Sequence, residues 1–196
     1  MTEQQPYEVV RRDCAFEVRR YPEHLVTEVV IAAAFEDAGN RAFRYLFGYI
    51  SGENRSRAKV AMTAPVVQAE SRAESVELAM TSPVVQQTAG SRDEYRVAFV
   101  LPAGLTRETA PEPTNAAVQL RVVPESTAAA IRFSGRWSEA SYQLHLRELR
   151  RDLVVAGLVP RGVPRFARFD PPYLPAFLRR NEVVLDLEPV PPAATG

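Results

Sequence analysis

The chain has 196 residues, which permits one large domain or two small ones. Its 24 Lys and Arg residues balance its 24 Asp and Glu residues, so it lacks the basic surface of a nucleic-acid-binding protein or a polybasic membrane anchor. No apolar run approaches the roughly 20 residues that span a bilayer. Cys14 is the single cysteine, which excludes an intramolecular disulfide and favours a reducing, cytoplasmic setting.

The predicted elements, taken in chain order, are mostly strands. Alternating or β-branched apolar runs are typical of half-buried strands, and a tight turn at Asp13-Cys14 joins the first two into a hairpin. The predicted strands are Tyr7–Arg12, Ala15–Tyr21, Leu25–Ala33, Lys59–Ala69, Ser75–Gln87, Tyr95–Leu101, Ala117–Val123, Thr127–Phe133, Arg165–Phe169 and Glu182–Leu187.

Two segments change to helical spacing. The first spans residues 37–51, with Asp37 as its N-cap and Gly52 as its stop. The second begins after Ser138, a good N-cap, and runs to Ala156, with its large apolar side chains on one face. Each predicted helix follows a strand and precedes two more strands.

The sequence repeats itself at two levels. Residues 61–68 are echoed by residues 79–86, which predicts two neighbouring strands, and Pro65 and Pro83 mark an edge or a bulge because proline cannot donate to a ladder. The strand-helix-strand-strand order also occurs twice. We therefore predict a pseudo-twofold α+β fold, with one curved antiparallel sheet closed toward a barrel and two helices packed on it.

The domain organisation that we expect is simple. Neither half is set off by an obvious linker, so residues 1–188 are predicted to form a single domain. The Pro- and Ala-rich residues 189–196 are predicted to be a disordered tail.

Motifs for phosphate binding, dinucleotide binding and serine or zinc hydrolysis are absent from the sequence. Its two histidines, His24 and His145, and its one cysteine do not supply the three or four ligands of a zinc site. His145 lies in the second helix beside leucines and is interpreted as a boundary residue. We therefore predict no catalytic residues, no metal site and no enzyme activity.

The first helix is apolar around more of its circumference than one sheet requires. Packing of the helix against the sheet needs only Ala42, Leu46 and Ile50. Phe43 and Phe47, one turn apart, are then available for another contact. Either neighbouring loops bury this pair, or it forms one wall of an apolar ligand site. In the second case Arg44 is available for an anionic group.

A second apolar stretch lies between Phe169 and Val183. Three prolines stiffen it, and Tyr173, Leu174 and Phe177 are large and apolar, so it is either a lid or rim of a site or a loop that buries its own side chains. The nearby Arg179, Arg180 and Glu182 are interpreted as a structural ion-pair network.

Several runs together resemble the SOUL haem-binding family, in the family's order and over roughly residues 6–188. The first-helix run Ala42-Phe43-Arg44-Tyr45-Leu46-Phe47-Gly48-Tyr49-Ile50-Ser51-Gly52-Glu53-Asn54 is similar to the family's signature helix. The paired Ala-Met-Thr segments and the opening hairpin resemble it as well. So do three later runs, Phe133-Ser134-Gly135-Arg136-Trp137-Ser138, Phe169-Asp170-Pro171-Pro172 and Arg179-Arg180-Asn181-Glu182-Val183.

This resemblance implies a distorted β-barrel with two flanking helices that binds haem or another tetrapyrrole in a shallow apolar groove. In the family the ligand lies against the first helix and the loop before the final strand. The site residues that this implies here are Phe43, Arg44, Phe47, Tyr173 and Leu174.

The chain departs from the pattern of some relatives at two positions. Their axial histidine matches Arg20, which cannot ligate iron, so His24 is at best a substitute. A basic residue that helps the propionates in some relatives falls near Leu174, where Arg44 or Arg179 could replace it. We therefore expect the porphyrin to be held mainly by apolar contact.

Four hypotheses follow for the function. The first is a monomeric, non-catalytic carrier or buffer of haem or a related tetrapyrrole, and the second is a general binding module for planar hydrophobic molecules. The third is an enzyme, such as a hydrolase of a planar substrate, for which no residue pair in the sequence argues. The fourth is an interaction protein whose aromatic helix face binds a partner.

Overall fold

The computed structural model describes residues 3–56, 75–90 and 93–189. The helices are α1 (Phe35–Ile50) and α2 (Glu139–Val155), and a short 3-10 helix spans Ala176–Leu178. The strands are β1 (Glu3–Gln4), β2 (Glu8–Arg12), β3 (Glu17–Tyr21), β4 (His24–Ala32), β5 (Asn54–Arg55), β6 (Thr81–Ser82), β7 (Val84–Thr88), β8 (Glu94–Val100), β9 (Glu112–Pro113), β10 (Gln119–Val123), β11 (Ser126–Ser134), β12 (Pro160–Arg168) and β13 (Arg180–Leu187).

Nine of these strands form one antiparallel sheet, in the order β10-β4-β8-β7-β12-β13-β11-β3-β2. The order is symmetric about the β7–β12 pair. On one side it runs β7, β8, β4, and on the other β12, β13, β11, so each half contributes two paired strands and the strand that precedes its helix. The fold is therefore α+β with two related halves, as the repeated element order predicts.

Two tight corners link the two ends of this strand order. Pro22 and Glu23 connect β3 to β4, and Pro124 and Glu125 connect β10 to β11. Tyr21 of β3 is paired with Ser126, and His24 of β4 is paired with Val123, so the register is continuous through both corners. The sheet therefore curves back toward itself, although among the described strands the hydrogen-bonded order ends at β10 and β2.

The two faces of the sheet have different roles because side chains alternate along each strand. Both helices pack on one face, α1 over β4, β8 and β7 and α2 over β11, β12 and β13. The main core lies there, with Leu46 and Leu149 fully buried. The opposite, concave face carries two small apolar clusters, one around Tyr21 and Val184 and one around Val26 and Val100.

The predicted strand Ser75–Gln87 begins only at Thr81 and is interrupted at Pro83. Two other predicted boundaries were wrong, each for a physical reason. Helix α1 begins at Phe35 rather than Asp37, because the Phe35 ring packs against the Tyr142 and Phe166 rings in the core and Ala34 becomes the N-cap. Strand β12 begins at Pro160 rather than Arg165, because a bulge around Gly162, whose φ is 71°, absorbs the break in alternation.

Other predictions were confirmed or fall outside the described residues. Ser138 caps α2 by accepting a hydrogen bond from the Ser141 amide, and the opening hairpin forms as predicted. Pro83 separates β6 from β7, which fits a break in pairing.

The first Ala-Met-Thr copy and the tail from residue 190 onward lie outside the described residues. Within the described part, neither helix is long and apolar enough to cross a membrane.

Candidate functional site

The outer flank of α1 presents an aromatic pair to solvent. Phe43 and Phe47 are 39% and 45% exposed, and their rings stack with centroids 5.3 Å apart and planes 14° from parallel. The Phe43 ring also meets the edge of the buried Phe99 ring of β8, at 5.6 Å between centroids. The pair is therefore anchored on the core side and open on the other. It forms an exposed apolar surface beside the core.

Arg44 does not join this pair. Its guanidinium lies 5.2 Å from the centroid of the Tyr45 ring, and it lines a shallow depression on α1 together with Asp37, Asn40 and Arg41. The helix rotation places Arg44 about 100° from Phe43 around the axis. The structure thus brings Phe43 and Phe47 together and directs Arg44 toward Tyr45.

The loop before β13 exposes its large side chains while its backbone is fixed. Tyr173 is 87% exposed and Phe177 is 73% exposed, whereas Leu174 is half-buried. Arg179 donates through Nε to the Leu174 carbonyl at 2.7 Å and also to the Pro172 carbonyl. The loop therefore does not bury its two aromatic side chains, and Arg179 fixes its backbone.

Trp137 connects this loop to α1, which sequence reasoning missed. Two guanidinium groups lie over its ring, that of Arg168 at 5.0 Å and that of Arg179 at 4.7 Å from the ring centroid. Arg168 in turn lies directly beneath Gly39, one turn before Phe43 on α1. The contacts therefore run from α1 through Arg168 and Trp137 to the rim of the loop.

Arg168 is a buried cation with no carboxylate partner among the described residues. It is 5% exposed, and it donates to the Gln86 side chain. Burial lowers its pKa to about 10, with a smaller opposing effect from Glu36, so it remains charged at neutral pH. Arg168 Nε and Trp137 Nε1 have no hydrogen-bond partner within the part of the chain that the structure describes. Trp137 lies in a run that resembles the family, but Arg168 could not be identified from the sequence. Nothing in the sequence of a strand shows which arginine will lie beneath a helix.

Neither histidine lies beside the aromatic pair. His24 faces the concave side of the sheet, opposite the helices, where Nδ1 is 2.9 Å from the Pro22 carbonyl oxygen and Nε2 is 3.0 Å from Gln5 Nε2. His145 stacks on Phe133 with 3.8 Å between centroids, and its Nδ1 is 2.7 Å from the Ser141 carbonyl oxygen. Both histidines are therefore engaged within the protein.

The ion-pair network predicted around Arg180 and Glu182 was confirmed, with a different third member. Glu182 accepts from Arg180 Nη2 at 2.7 Å and from Arg19 Nη1 at 2.6 Å. Arg179 instead binds backbone carbonyls of the loop. Within the described residues, groups of three or more potential metal ligands are absent.

The fold and this surface define an antiparallel α+β protein with an exposed aromatic helix flank beside a rigid aromatic loop. The family model for SOUL heme-binding protein matches residues 2–186, so the chain belongs to the SOUL haem-binding family. Heme-binding protein 1 of Xenopus tropicalis is similar to it, at 28% identity over 170 residues, 86% of this chain and 82% of that protein.

Solved structures share the fold at low sequence identity. The C-terminal domain of EcmrR has a TM-score of 0.62 at 10% identity, covering 94% of this chain and 99% of that domain. A hydrolase from Listeria innocua has a TM-score of 0.60 at 14% identity, covering 91% of this chain and 94% of that one. At these identities the likeness extends to the fold and not to ligand or activity.

Proposed function

We propose that this protein binds haem or a related tetrapyrrole on the flank of α1 and acts as a non-catalytic carrier or buffer. The observation that carries the proposal is the stacked, half-exposed pair of Phe43 and Phe47. A flat aromatic surface of this kind suits one face of a porphyrin. Membership of a haem-binding family makes a tetrapyrrole the best-supported planar ligand.

The groups around Trp137 complete the proposed site. Arg168 and Arg179 place two positive charges on its ring, between α1 and the loop, without a carboxylate of their own among the described residues. Guanidinium groups bind carboxylates well, so the partly exposed Arg179 suits a propionate of a tetrapyrrole, while the buried Arg168 adds its positive charge from beneath α1. Tyr173 and Leu174 would then border the ring from the loop side, and Arg44 would take no part.

Iron ligation is not required by the proposal. Burying one porphyrin face at about 25 cal/mol per Å² stabilises the complex by several kcal/mol, which is a large part of the roughly 8 kcal/mol that micromolar affinity requires. His24 lies on the other face of the sheet from Phe43 and Phe47 and is hydrogen-bonded there. It therefore does not serve as an axial ligand in this proposal.

We further propose that the scaffold is the distorted barrel that the family resemblance implies, and that the protein works as a cytoplasmic monomer. The continuous register through the corners at Pro22 and Pro124 supports closure of the sheet. The lone, exposed Cys14 supports a reducing compartment.

The test is hemin titration of the double variant Phe43→Asp, Phe47→Asp, followed by the Soret band. Two carboxylates on the proposed contact surface should repel the propionates and remove the apolar face, which weakens binding roughly a hundredfold or more. The matched control is Val154→Asp, Val155→Asp, which changes two exposed apolar residues of α2, 76% and 85% exposed, and should leave the affinity unchanged. An unchanged affinity in the phenylalanine variant rules out this site.

A further inference from the structure

A cavity of about 310 Å³ lies on the concave face of the sheet, opposite the helices. Its volume is at the lower end of the range for small-molecule sites, roughly 300–1,000 Å³. Apolar side chains from five strands form its walls, so it can take a compact apolar body. Those that define the walls are Val26, Val85, Ala98, Val100, Ala167 and Val184.

Four arginines, Arg96, Arg121, Arg161 and Arg165, line this cavity, and the carboxylates beside them are Glu28, Glu125 and Asp186. Glu182, which also lines it, is already paired with Arg19 and Arg180. Glu28, which is 5% exposed, is held by Arg121 Nε at 2.8 Å, while Arg96 Nε lies 3.3 Å from its other oxygen without the alignment of a hydrogen bond. Arg165 forms a 2.6 Å ion pair with Asp186. Arg161 also lines the cavity and has no carboxylate partner among the described side chains.

These ion pairs hold the arginine side chains in place but leave some of their N–H donors free. A guanidinium has five N–H donors in a rigid fork, so an arginine that binds one carboxylate oxygen keeps donors for a ligand. Arg121 and Arg96 also share a single negative charge, which leaves an excess positive charge at this place. The site is therefore preorganised for an anion rather than a cation.

His24 lies at the same end of the cavity as these arginines. It lines the cavity, and burial lowers its pKa, with Arg165 and Arg121 acting in the same direction. The Pro22 carbonyl and Asp186 act in the opposite direction, and the geometric observation is that His24, Arg121 and Arg165 all line this one cavity. The anion-binding end of the cavity is thus bounded by Arg121, Arg165 and His24.

We propose that this cavity binds a small organic anion, with a carboxylate or sulfonate beside Arg121 and Arg165 and an apolar body against the valines of the concave face. The site is separate from the surface of Phe43 and Phe47, because the sheet lies between them. The proposal therefore stands or falls independently of tetrapyrrole binding.

The experiment uses two fluorescent probes with the same ring system. Anilinonaphthalene sulfonate carries the anion, and N-phenylnaphthylamine lacks it. We expect one equivalent of the sulfonate to bind, and Arg121→Gln to raise its Kd about tenfold or more, the usual loss for a charge-assisted hydrogen bond. The Kd of the neutral probe should stay unchanged, which also shows that the variant keeps its cavity. The matched control is Arg147→Gln, an exposed arginine of α2.

A second variant protects the test against misfolding. Arg161→Gln leaves no carboxylate without its partner, so it should fold normally and weaken the sulfonate several-fold at the rim of the cavity. The double variant Phe43→Asp, Phe47→Asp should bind the sulfonate as tightly as the unchanged protein. The proposal is overturned if neither arginine variant weakens the sulfonate, if both probes weaken equally, if the phenylalanine variant loses the sulfonate, or if no saturable binding occurs.

Discussion

Glu182 is the most deeply buried carboxylate among the described residues, at 1% exposed, and it joins Arg19 and Arg180 on the concave face. Burial opposes the charge of Arg19, but the hydrogen bond and charge of Glu182 outweigh it and raise the Arg19 pKa. Arg19 is therefore charged. This triad links β13 to β3 across the intervening β11 and helps to fix the curvature of the sheet.

Removing Glu182 should cost far more than removing an exposed carboxylate. Glu182→Ala leaves the buried Arg19 with only the partly exposed Glu17 as a partner, and we expect the free energy of unfolding to fall by about 3–5 kcal/mol in urea denaturation. Glu8→Ala is the matched control, because Glu8 pairs with Arg20 at 3.2 Å on the surface and should cost less than about 1 kcal/mol. Equal losses would show that the buried triad has no special structural role.

His24 should make the stability of the protein depend on pH. Burial lowers its folded pKa below the ordinary 6.5, so the unfolded chain binds more protons as the pH falls through 6.5 toward the folded pKa. The free energy of unfolding should therefore decrease between pH 7 and 5. His24→Gln should lose less stability over this interval in urea denaturation, whereas parallel curves for the two proteins would contradict the assigned environment. His145 is present in both proteins and cancels from the comparison.

At the scale of elements, α1 is fixed by a close approach to β12. A Cβ at Gly39 would overlap Arg168 Nη1 and lie 2.7 Å from its Cζ, and Arg168 cannot retreat because Trp137 and Gln86 hold it. Gly48 in the same helix meets only the end of the exposed Glu53 side chain. The two glycines therefore permit a matched comparison.

Gly39→Ala should destabilise the protein although alanine is the better helix former. We expect a loss of about 1–3 kcal/mol from overpacking, measured by urea denaturation. Gly48→Ala should be neutral or stabilising by up to about 1 kcal/mol, because the Glu53 carboxylate can move into solvent. A stabilised Gly39→Ala variant would mean that Arg168 does not lie beneath α1 as described.

The elements that the sequence predicted well are those with local signals. Ser138 and Gly157 mark the ends of α2 to within a residue or two, and alternation located β8 and the opening hairpin. The aromatic pair of α1 was also visible, because Phe43 and Phe47 exceed what one sheet can bury. Capping and periodicity depend on residues that are close in the chain, so they can be identified from the sequence alone.

The features that the sequence could not predict depend on contacts between distant segments. The direction of Arg44 follows from the rotation of α1 on the sheet, and the Arg168–Trp137 contact joins a strand to the segment before α2. The concave cavity arises only when strands from both halves curve together. None of these has a local signature.

At the scale of the whole molecule, the two halves place two surfaces on opposite faces of one sheet. The helix face carries the aromatic pair and the Trp137 arginines, and the concave face carries the arginine-rich cavity around His24. The helix side therefore suits a large planar ligand held by contact, whereas the concave side suits a small anion. This separation explains why His24 is remote from the proposed tetrapyrrole.

The central claim is that the α1 surface holds a tetrapyrrole through its ring and carboxylates, without a ligand to iron. Parallel titrations of the purified protein with hemin and with metal-free protoporphyrin IX, followed by the Soret band, test it most directly. The account predicts saturable binding of both at similar micromolar Kd values, unchanged by His24→Ala. Binding of hemin alone, lost in His24→Ala, would contradict the claim that iron needs no ligand from the protein. If neither compound bound, the proposal of tetrapyrrole binding would be wrong.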